Sequence, residues 1–240
     1  MQDKLPAPTR LVLWDVDHTL IATGGVGRVA FAEAFRAATG LPLGEMADPS
    51  GLTEGDIFRR TAIAHGIAEP DAIFGDFAHH LARAYEARTD LLTSKGCALP
   101  GARPALQRLA ARPELLQGVL TGNLSEVAKV KLAAFDLDGF VNWNVSAFAE
   151  DGSERAELVD AARARARKVT GHAFDGDRTI LVGDTVNDVQ TAVRTGAAVI
   201  AVATGKFSAA QLHAAGAQTV LASLQDPRLG AALEERLNHS

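Results

Sequence analysis

Cysteine is almost missing from this chain of 240 residues, because Cys97 is its only cysteine. An internal disulfide is therefore excluded, and we expect the protein to work in a reducing compartment such as the cytoplasm. The sequence has no run of about 18 apolar residues, so no membrane-spanning helix and no membrane partner are expected. The N-terminal stretch MQDKLPAPTR lacks the apolar segment of a signal peptide, which again favours a cytoplasmic protein.

A surplus of basic residues is missing as well. The formal net charge is −5, and this argues against nucleic acid as a partner. Hydrophobic residues make up 47% of the chain, which is enough for a sizeable core and too much for a disordered chain. The length predicts one large domain, or a core with a smaller companion, and we expect a monomer or a homodimer.

Short apolar runs recur along the chain and have the length of β-strands. Their almost uniformly apolar character is typical of parallel strands that are covered on both faces. Helical patterns separate the runs, and this alternation predicts an α/β fold with a doubly wound parallel sheet. The predicted strands are LVLWDV (11–16), QGVLTGN (117–123), RTILVGD (178–184), AAVIAVA (197–203) and a short fifth, QTVLA (218–222).

The segment between the first two predicted strands does not follow this alternation. Residues 22–96 contain three helical patterns, at about 26–39, 54–65 and 71–89, and no convincing strand. We therefore expect an all-helical insertion in the α/β core.

Two carboxylates follow the first predicted strand. Asp15 stands at its carboxyl end, where open α/β sheets bind their ligands. Asp17 can approach the same site, because positions i and i+2 of an extended chain point to one side. Two close carboxylates repel each other, and their burial without a partner is costly. A cation removes this difficulty, and hard oxygen ligands favour Mg²⁺.

The third predicted strand ends in the same way. GDTVND places Asp184 at the strand tip and Asp188 one helical turn later, facing back to the same end. Taken alone, Asp184 would suit a helix N-cap, and Asp188 would suit an exposed first turn. Acidic clusters at two separate strand ends instead favour carboxylates that converge on one metal site.

An anion site is predicted beside these acids. The second strand ends in Thr121, Gly122 and Asn123, and a hydroxyl with free backbone N–H groups at a helix start can bind an anion. A simple helix N-cap is the alternative explanation for this segment. A magnesium site next to an anion site is typical of phosphoryl chemistry.

Three of these segments resemble the motifs of a known family. DVDHT (15–19), TGN (121–123) and GDTVND (183–188) look like the first, second and fourth motifs of the haloacid dehalogenase superfamily. Their order and the helical insertion after the first motif match as well, so the resemblance covers essentially the whole chain. LPGARPALQRLA (99–110) is similar to the phosphoglycolate phosphatase branch of this superfamily.

The resemblance implies an architecture. Residues 1–21 and 97–240 would form a Rossmann-like phosphatase core, and residues 22–96 would form the helical cap domain that this branch carries.

The resemblance also implies roles for the acidic residues. Asp15 would be the nucleophile that forms an aspartyl-phosphate. Asp17 would protonate the leaving oxygen and then activate water as a base. Asp15, the backbone carbonyl of Asp17 and Asp184 would hold Mg²⁺, with Asp188 in or next to the ligand shell. The transferring phosphoryl group would lie against Thr121, Gly122 and Asn123.

A basic residue that neutralises the phosphoryl oxygens is expected too. In the family it is usually a Lys in a Lys-Pro segment, which this chain lacks before its fourth motif. EDGSERAEL offers Arg155 near the start of a predicted helix, with Asp151 or Ser153 as N-cap. Lys129 and Lys131 are alternatives, although a solvated helix face would also explain both.

The function implied by the resemblance is Mg²⁺-dependent hydrolysis of a small phosphorylated metabolite such as 2-phosphoglycolate. Asp17 favours a phosphatase, because the dehalogenase branch has no carboxylate at that position and needs no metal. The alternatives are a sugar phosphomutase similar to β-phosphoglucomutase, or a binding protein without activity. A phospho-receiver domain is disfavoured, because it has about half this length and no helical insertion.

Overall fold

A computed structural model of the protein describes residues 8–238, so the outer ends of the predicted core, 1–7 and 239–240, lie outside the described residues. The main sheet has five strands, all parallel, in the order β4-β1-β5-β6-β7. The strands are β1 (Arg10–Trp14), β2 (Ile21–Ala22), β3 (Cys97–Ala98), β4 (Leu115–Val119), β5 (Thr179–Gly183), β6 (Ala198–Val202) and β7 (Thr219–Leu221).

All five predicted strands belong to this sheet, and the predicted α/β class is confirmed. The first two predictions, 11–16 and 117–123, extend past the observed strand ends at Trp14 and Val119. The difference has a physical reason, since the residues beyond these ends leave the ladder to form the loops of the candidate site.

The ten α-helices within residues 8–238 alternate with the strands of the core and fill the segment between β2 and β3. They are α1 (Val26–Thr39), α2 (Glu54–Ala64), α3 (Pro70–Glu86), α4 (Thr89–Lys95), α5 (Ala102–Ala110), α6 (Ser125–Ala133), α7 (Arg155–Thr170), α8 (Val186–Thr195), α9 (Ala209–Ala214) and α10 (Arg228–Asn238). Among residues 8–238, no helix is both long enough and apolar enough to cross a bilayer.

Helices cover both faces of the sheet, as expected for a doubly wound fold. Successive residues of β1 point to opposite sides, so Val12 and Trp14 pack with α5, α6 and α10. Leu11 and Leu13 pack on the other face with α7, α8 and α9. The buried indole of Trp14 keeps its polar group satisfied, because Nε1–H donates to Gln117 Oε1 at 3.2 Å.

The inserted helices α1–α4 have a core of their own. It is rich in phenylalanine, and the rings of Phe58 and Phe77 stack with centroids 4.2 Å apart. Leu124 and Val127 of the α6 region belong to the same cluster, so the insertion packs directly against α6. This contact places the insertion over the loop that precedes α6.

A short antiparallel ladder joins the two ends of the insertion. Ile21 pairs with Ala98 and Ala22 with Cys97. The sequence predicted no convincing strand within 22–96, and this ladder enters that range only at Ala22. Two-residue strands are too short to produce an alternating pattern. The third predicted helix, 71–89, corresponds to α3, which ends at Glu86, and α4 is a further short helix that the sequence pattern did not predict.

Candidate active site

The carboxyl ends of β1, β4 and β5 are neighbours in the sheet and bring the predicted residues together. The Asp15 N–H donates to the Val182 carbonyl at 2.8 Å, which fixes the start of the β1 loop against β5. A cavity of about 460 Å³ opens between this edge and the inserted helices. Seven of the eight predicted site residues line it: Asp15, Asp17, Thr121, Gly122, Asn123, Arg155 and Asp184.

Asp188 lies just behind this cavity wall. Its carboxylate accepts hydrogen bonds from the backbone N–H of Thr185 at 3.0 Å and from its hydroxyl at 2.6 Å. Asp188 is therefore buried in a capping box at the start of α8. The alternative explanations for these two residues are wrong. Asp188 is not an exposed first-turn residue, and the N-cap of α8 is Thr185 rather than Asp184.

Three carboxylates form a compact cluster. Oxygen atoms of Asp15, Asp184 and Asp188 all lie within 4.8 Å of one another, and all three side chains are buried. Glycine makes room for them, since a Cβ on Gly205 would lie 1.8 Å from Asp184 Oδ2. Buried carboxylates at this spacing are a suitable donor set for a divalent metal ion.

The charges of the cluster are not balanced. Burial and the charge of Asp188 together raise the pKa of Asp15 to about 7, against the opposing effect of Arg155. Burial likewise raises the pKa of Asp184 to about 8, with added repulsion from Asp15 and Asp188. Three buried carboxylates thus outnumber the neighbouring guanidinium, and a bound cation would offset the excess.

Arg155 lies at the first position of α7 and reaches the nucleophile candidate. Its Nη2 donates to Asp15 Oδ1 at 3.1 Å and also to Asp188 Oδ1. Burial disfavours the guanidinium charge, but Asp188 and Asp15 outweigh burial and hold the pKa of Arg155 above its usual value. The N-cap of α7 is Glu154 in a capping box with Glu157, so the predicted caps Asp151 and Ser153 are wrong.

Lys131 enters the cavity from α6 and meets the other carboxylate. Its Nζ donates to Asp17 Oδ2 at 2.8 Å and Oδ1 at 3.0 Å, and also to Asn123 Oδ1. Burial opposes the charge on Asp17, but Lys131 and Asn123 outweigh burial and lower the pKa of Asp17. Lys129 differs from Lys131, because it is exposed and pairs with Glu126 at 2.6 Å.

The loop after β4 is held by its own side chains. Thr121 Oγ1 accepts from the Asn123 N–H at 3.2 Å and from Asn123 Nδ2 at 2.6 Å. Asn123 Nδ2 also donates to Asp17 Oδ2 at 2.7 Å. The N-cap of α6 is Leu124, so this segment is not the simple N-cap that was the alternative explanation. The amide of Asn123 instead links the β4 loop to the β1 loop.

Several side chains at the site were not singled out from the sequence. The Thr19 hydroxyl donates to Asp184 Oδ1 at 3.2 Å, and its place inside DVDHT was the available signal. Tyr85 presents its ring to Lys131, with Nζ 5.0 Å from the centroid. Glu54 comes from the insertion and accepts from the Leu124 N–H at 2.6 Å. Local sequence does not single out Tyr85 or Glu54 as residues of this site, because only tertiary packing brings them here.

Solved structures with the same fold come from several bacteria. A hydrolase from Pseudomonas syringae is 24% identical with a TM-score of 0.66, covering 95% of this chain and 98% of its own. A protein from Bacteroides vulgatus described as a β-phosphoglucomutase is 19% identical with a TM-score of 0.61, covering 97% and 92%. One from Haemophilus somnus described as a phosphoglycolate phosphatase is 14% identical with a TM-score of 0.63, covering 92% and 96%.

These likenesses show the fold, whereas the family follows from the sequence itself. No curated protein matches the chain significantly. Residues 12–192 match the haloacid dehalogenase-like hydrolases, and this span contains all three motifs and the whole acidic cluster. The chain therefore belongs to the haloacid dehalogenase-like hydrolase family.

Proposed function

We propose that the protein is a Mg²⁺-dependent phosphomonoester hydrolase that forms an aspartyl-phosphate on Asp15. One observation carries the proposal. A buried carboxylate at the tip of β1 has a guanidinium 3.1 Å away and two further carboxylates within metal-binding distance. This arrangement pairs a nucleophile with a guanidinium and with a set of carboxylates that would hold a metal ion, and phosphoryl transfer uses both kinds of positive charge.

In the first half-reaction, an Asp15 oxygen attacks phosphorus and the bond to the ester oxygen breaks. Asp15, Asp184 and the backbone carbonyl of Asp17 would hold Mg²⁺, with Asp188 beside them, and the ion would supply charge stabilisation for the phosphoryl oxygens. Arg155 would add a donor to the same oxygens. Their remaining contacts would be with Thr121, Gly122 and Asn123.

Asp17 would move the protons. It gives a proton to the leaving oxygen in the first half-reaction and takes one from the attacking water in the second, so its starting state is restored. Lys131 lowers the pKa of Asp17 and therefore favours the ionised form. We propose that Lys131 assists the second half-reaction, in which Asp17 acts as a base.

Residues 22–96 would act as a cap that encloses the substrate and excludes water from phosphoryl transfer. A cavity of about 460 Å³ suits a small metabolite. Its cap wall includes Phe31, Tyr85 and the exposed guanidinium of Arg28. A cation there would suit a second anionic group, and 2-phosphoglycolate, which carries a carboxylate besides its phosphate, therefore remains the proposed substrate.

A sugar phosphomutase is the second candidate. The likeness to the Bacteroides vulgatus protein described as a β-phosphoglucomutase supports it. Both activities would share the attack by Asp15, but a mutase returns the phosphoryl group to a second hydroxyl of the substrate instead of to water. The products therefore distinguish the two activities.

The test is phosphate release from a panel of phosphomonoesters, measured with Mg²⁺ and with EDTA. The panel includes 2-phosphoglycolate and hexose phosphates, and the sugar products are analysed for isomers. The proposal predicts phosphate release with Mg²⁺ and none with EDTA. Isomerised sugar phosphate without free phosphate would establish the mutase instead. No turnover of any ester by the folded protein would favour a binding protein without activity.

A further inference from the structure

Helix α6 starts beside the phosphoryl-binding loop, and its N-cap residue cannot cap it. This residue is Leu124, whose side chain has no hydrogen-bond acceptor. Two glutamates from other segments accept hydrogen bonds from the first backbone N–H groups of the helix instead. Glu54 Oε2 accepts from the Leu124 N–H at 2.6 Å, and Glu150 Oε1 accepts from the Ser125 N–H at 2.9 Å. Glu54 belongs to the helical insertion, whereas Glu150 lies in a short 3₁₀ turn of the core.

Glu54 holds the loop at a second point as well. Its own N–H, at the first position of α2, donates to the Gly122 carbonyl at 2.7 Å. One residue of the insertion therefore binds the backbone on both sides of Asn123. The approach is close, since a Cβ on Gly122 would lie 2.3 Å from the Leu52 carbonyl oxygen. Only glycine fits at this point of the loop.

The residue between these two contacts is a central link of the site. Asn123 donates to Thr121 and to Asp17, and it accepts from Lys131, which follows two turns later on α6. Displacing the loop would therefore move the amide that orients Asp17 and the helix that carries Lys131. The position of the loop backbone controls both groups.

The chemistry of Glu54 is unusual for a residue with a packing role alone. Its carboxylate is buried, and burial raises its pKa to about 7 against the opposing charge of Lys131. A buried carboxylate is costly, and an apolar side chain would fill the same space without that cost. Two groups offset this cost, the Lys131 charge and the hydrogen bond from the Leu124 N–H, which belongs to the phosphoryl-binding loop.

We propose that Glu54 is a positioning residue through which the helical insertion holds the phosphoryl-binding loop, residues 121–124, in its active arrangement. The insertion then does more than enclose the substrate, because it supplies the clamp that fixes a loop of the core. This inference rests on the proposed function of the site.

The test compares three variants with the wild type on the best ester of the panel. Glu54→Ala removes the side-chain clamp and should lower kcat by about 10- to 100-fold with a smaller change in KM, because the loop matters most when charge develops on the phosphoryl group. Glu54→Gln keeps an acceptor of the same shape and should retain kcat to within about fivefold. Glu150→Ala uncaps the same helix from the core side and should leave kcat within about threefold.

Two results would overturn the inference. One is a Glu54→Ala variant with kcat within about threefold of wild type. The other is an equal loss in Glu150→Ala, which would mean that any missing cap of α6 has this effect. If Glu54→Ala does not fold, Glu54→Asp replaces it. That variant keeps the charge but is one methylene too short to reach the Leu124 N–H, so the same loss of kcat is expected.

A structural readout separates this inference from the proposed function. An inactive wild type would contradict the phosphatase but not the clamp. Hydrogen exchange of the Leu124 amide, measured by NMR on the full chain, then tests the clamp without any need for activity. Exchange in Glu54→Ala should be at least about tenfold faster than in the wild type and in Glu150→Ala. Unchanged exchange would contradict the clamp whatever the activity is.

Discussion

Two basic side chains enter the cavity from different helices, and they meet different surroundings. Arg155, from α7, donates to Asp15 and Asp188 within a cluster of three carboxylates. Lys131, from α6, donates to both oxygens of Asp17 and to the neutral amide of Asn123. The first end of the site has an excess of negative charge, whereas the direct ion pair at the second end, Lys131 with Asp17, is balanced.

This difference indicates what each end needs before it can react. At the Arg155 end, burial raises the pKa values of Asp15 and Asp184, so their ionised forms need a further cation. At the Lys131 end, the lowered pKa of Asp17 shows a carboxylate that is already stabilised. We infer that metal binding prepares the nucleophile, while the acid–base group is arranged by the protein alone.

The largest effect is expected from removing the nucleophile. Asp15→Asn should lower phosphate release by about 10⁴-fold or more, because no other group can form the covalent intermediate. Asp160→Asn, an exposed change of the same kind on α7, should leave the rate within about twofold. Steady-state phosphate release measures both. Substantial turnover by Asp15→Asn would place the reacting group elsewhere.

The second largest effect is expected at the Arg155 end of the site, where negative charge is in excess. Arg155→Ala should lower kcat/KM by about 10³-fold and should destabilise the protein by about 3–5 kcal/mol, since buried carboxylates lose their partner. Arg155→Lys should recover most of both losses, because the observed contacts use the single nitrogen Nη2. Kinetics and urea unfolding provide the readouts. Equal losses in Ala and Lys variants would show that the guanidinium fork itself is required.

A smaller loss is expected at the balanced end. Lys131→Met should lower kcat by about 100-fold, because Asp17 loses the charge that lowers its pKa and the donor that orients it. Lys129→Met is the matched control on the same helix and should stay within about twofold, since its exposed pair with Glu126 contributes little. A Lys131→Met variant with full kcat would show that Asp17 needs no partner.

The last effect concerns the stability of the protein rather than its rate, and it depends on pH. The pKa values of Asp15 and Asp184 are raised from 3.8 to about 7 and about 8, so the folded protein binds more protons than the unfolded chain between these values. The free energy of unfolding in EDTA should therefore fall by several kcal/mol as the pH rises from about 5 to about 8, because each carboxylate contributes up to about 1.4 kcal/mol per pH unit below its folded pKa. Mg²⁺ should reduce this fall, because it stabilises the ionised carboxylates.

Urea unfolding across this pH range, with Mg²⁺ and with EDTA, checks the prediction. Asp184→Asn should flatten the EDTA curve, because it removes one of the titrating carboxylates. A free energy of unfolding that rises with pH in EDTA would contradict the assigned charge excess.

The sequence predicts the acidic end of the site better than the rest. Asp15 and Asp184 each follow a buried strand, and parallel strands bring their carboxyl ends to one edge of a sheet. Local pattern was therefore sufficient for the sheet and its acids. The ion pair of Lys131 with Asp17 was not predictable, because Lys131 reaches Asp17 only through the way α6 packs beside β4. The contact of Glu54 with Leu124 depends in turn on how the whole insertion packs.

The most direct measurement is the mass of the peptide that contains Asp15 after rapid acid quench during turnover with Mg²⁺. The proposed mechanism predicts one added phosphoryl group, located on Asp15 rather than Asp17 by fragmentation, and its absence when EDTA is present. A phosphoryl group on another residue, or rapid turnover without any phosphorylated enzyme, would contradict the central claim that Asp15 is the nucleophile.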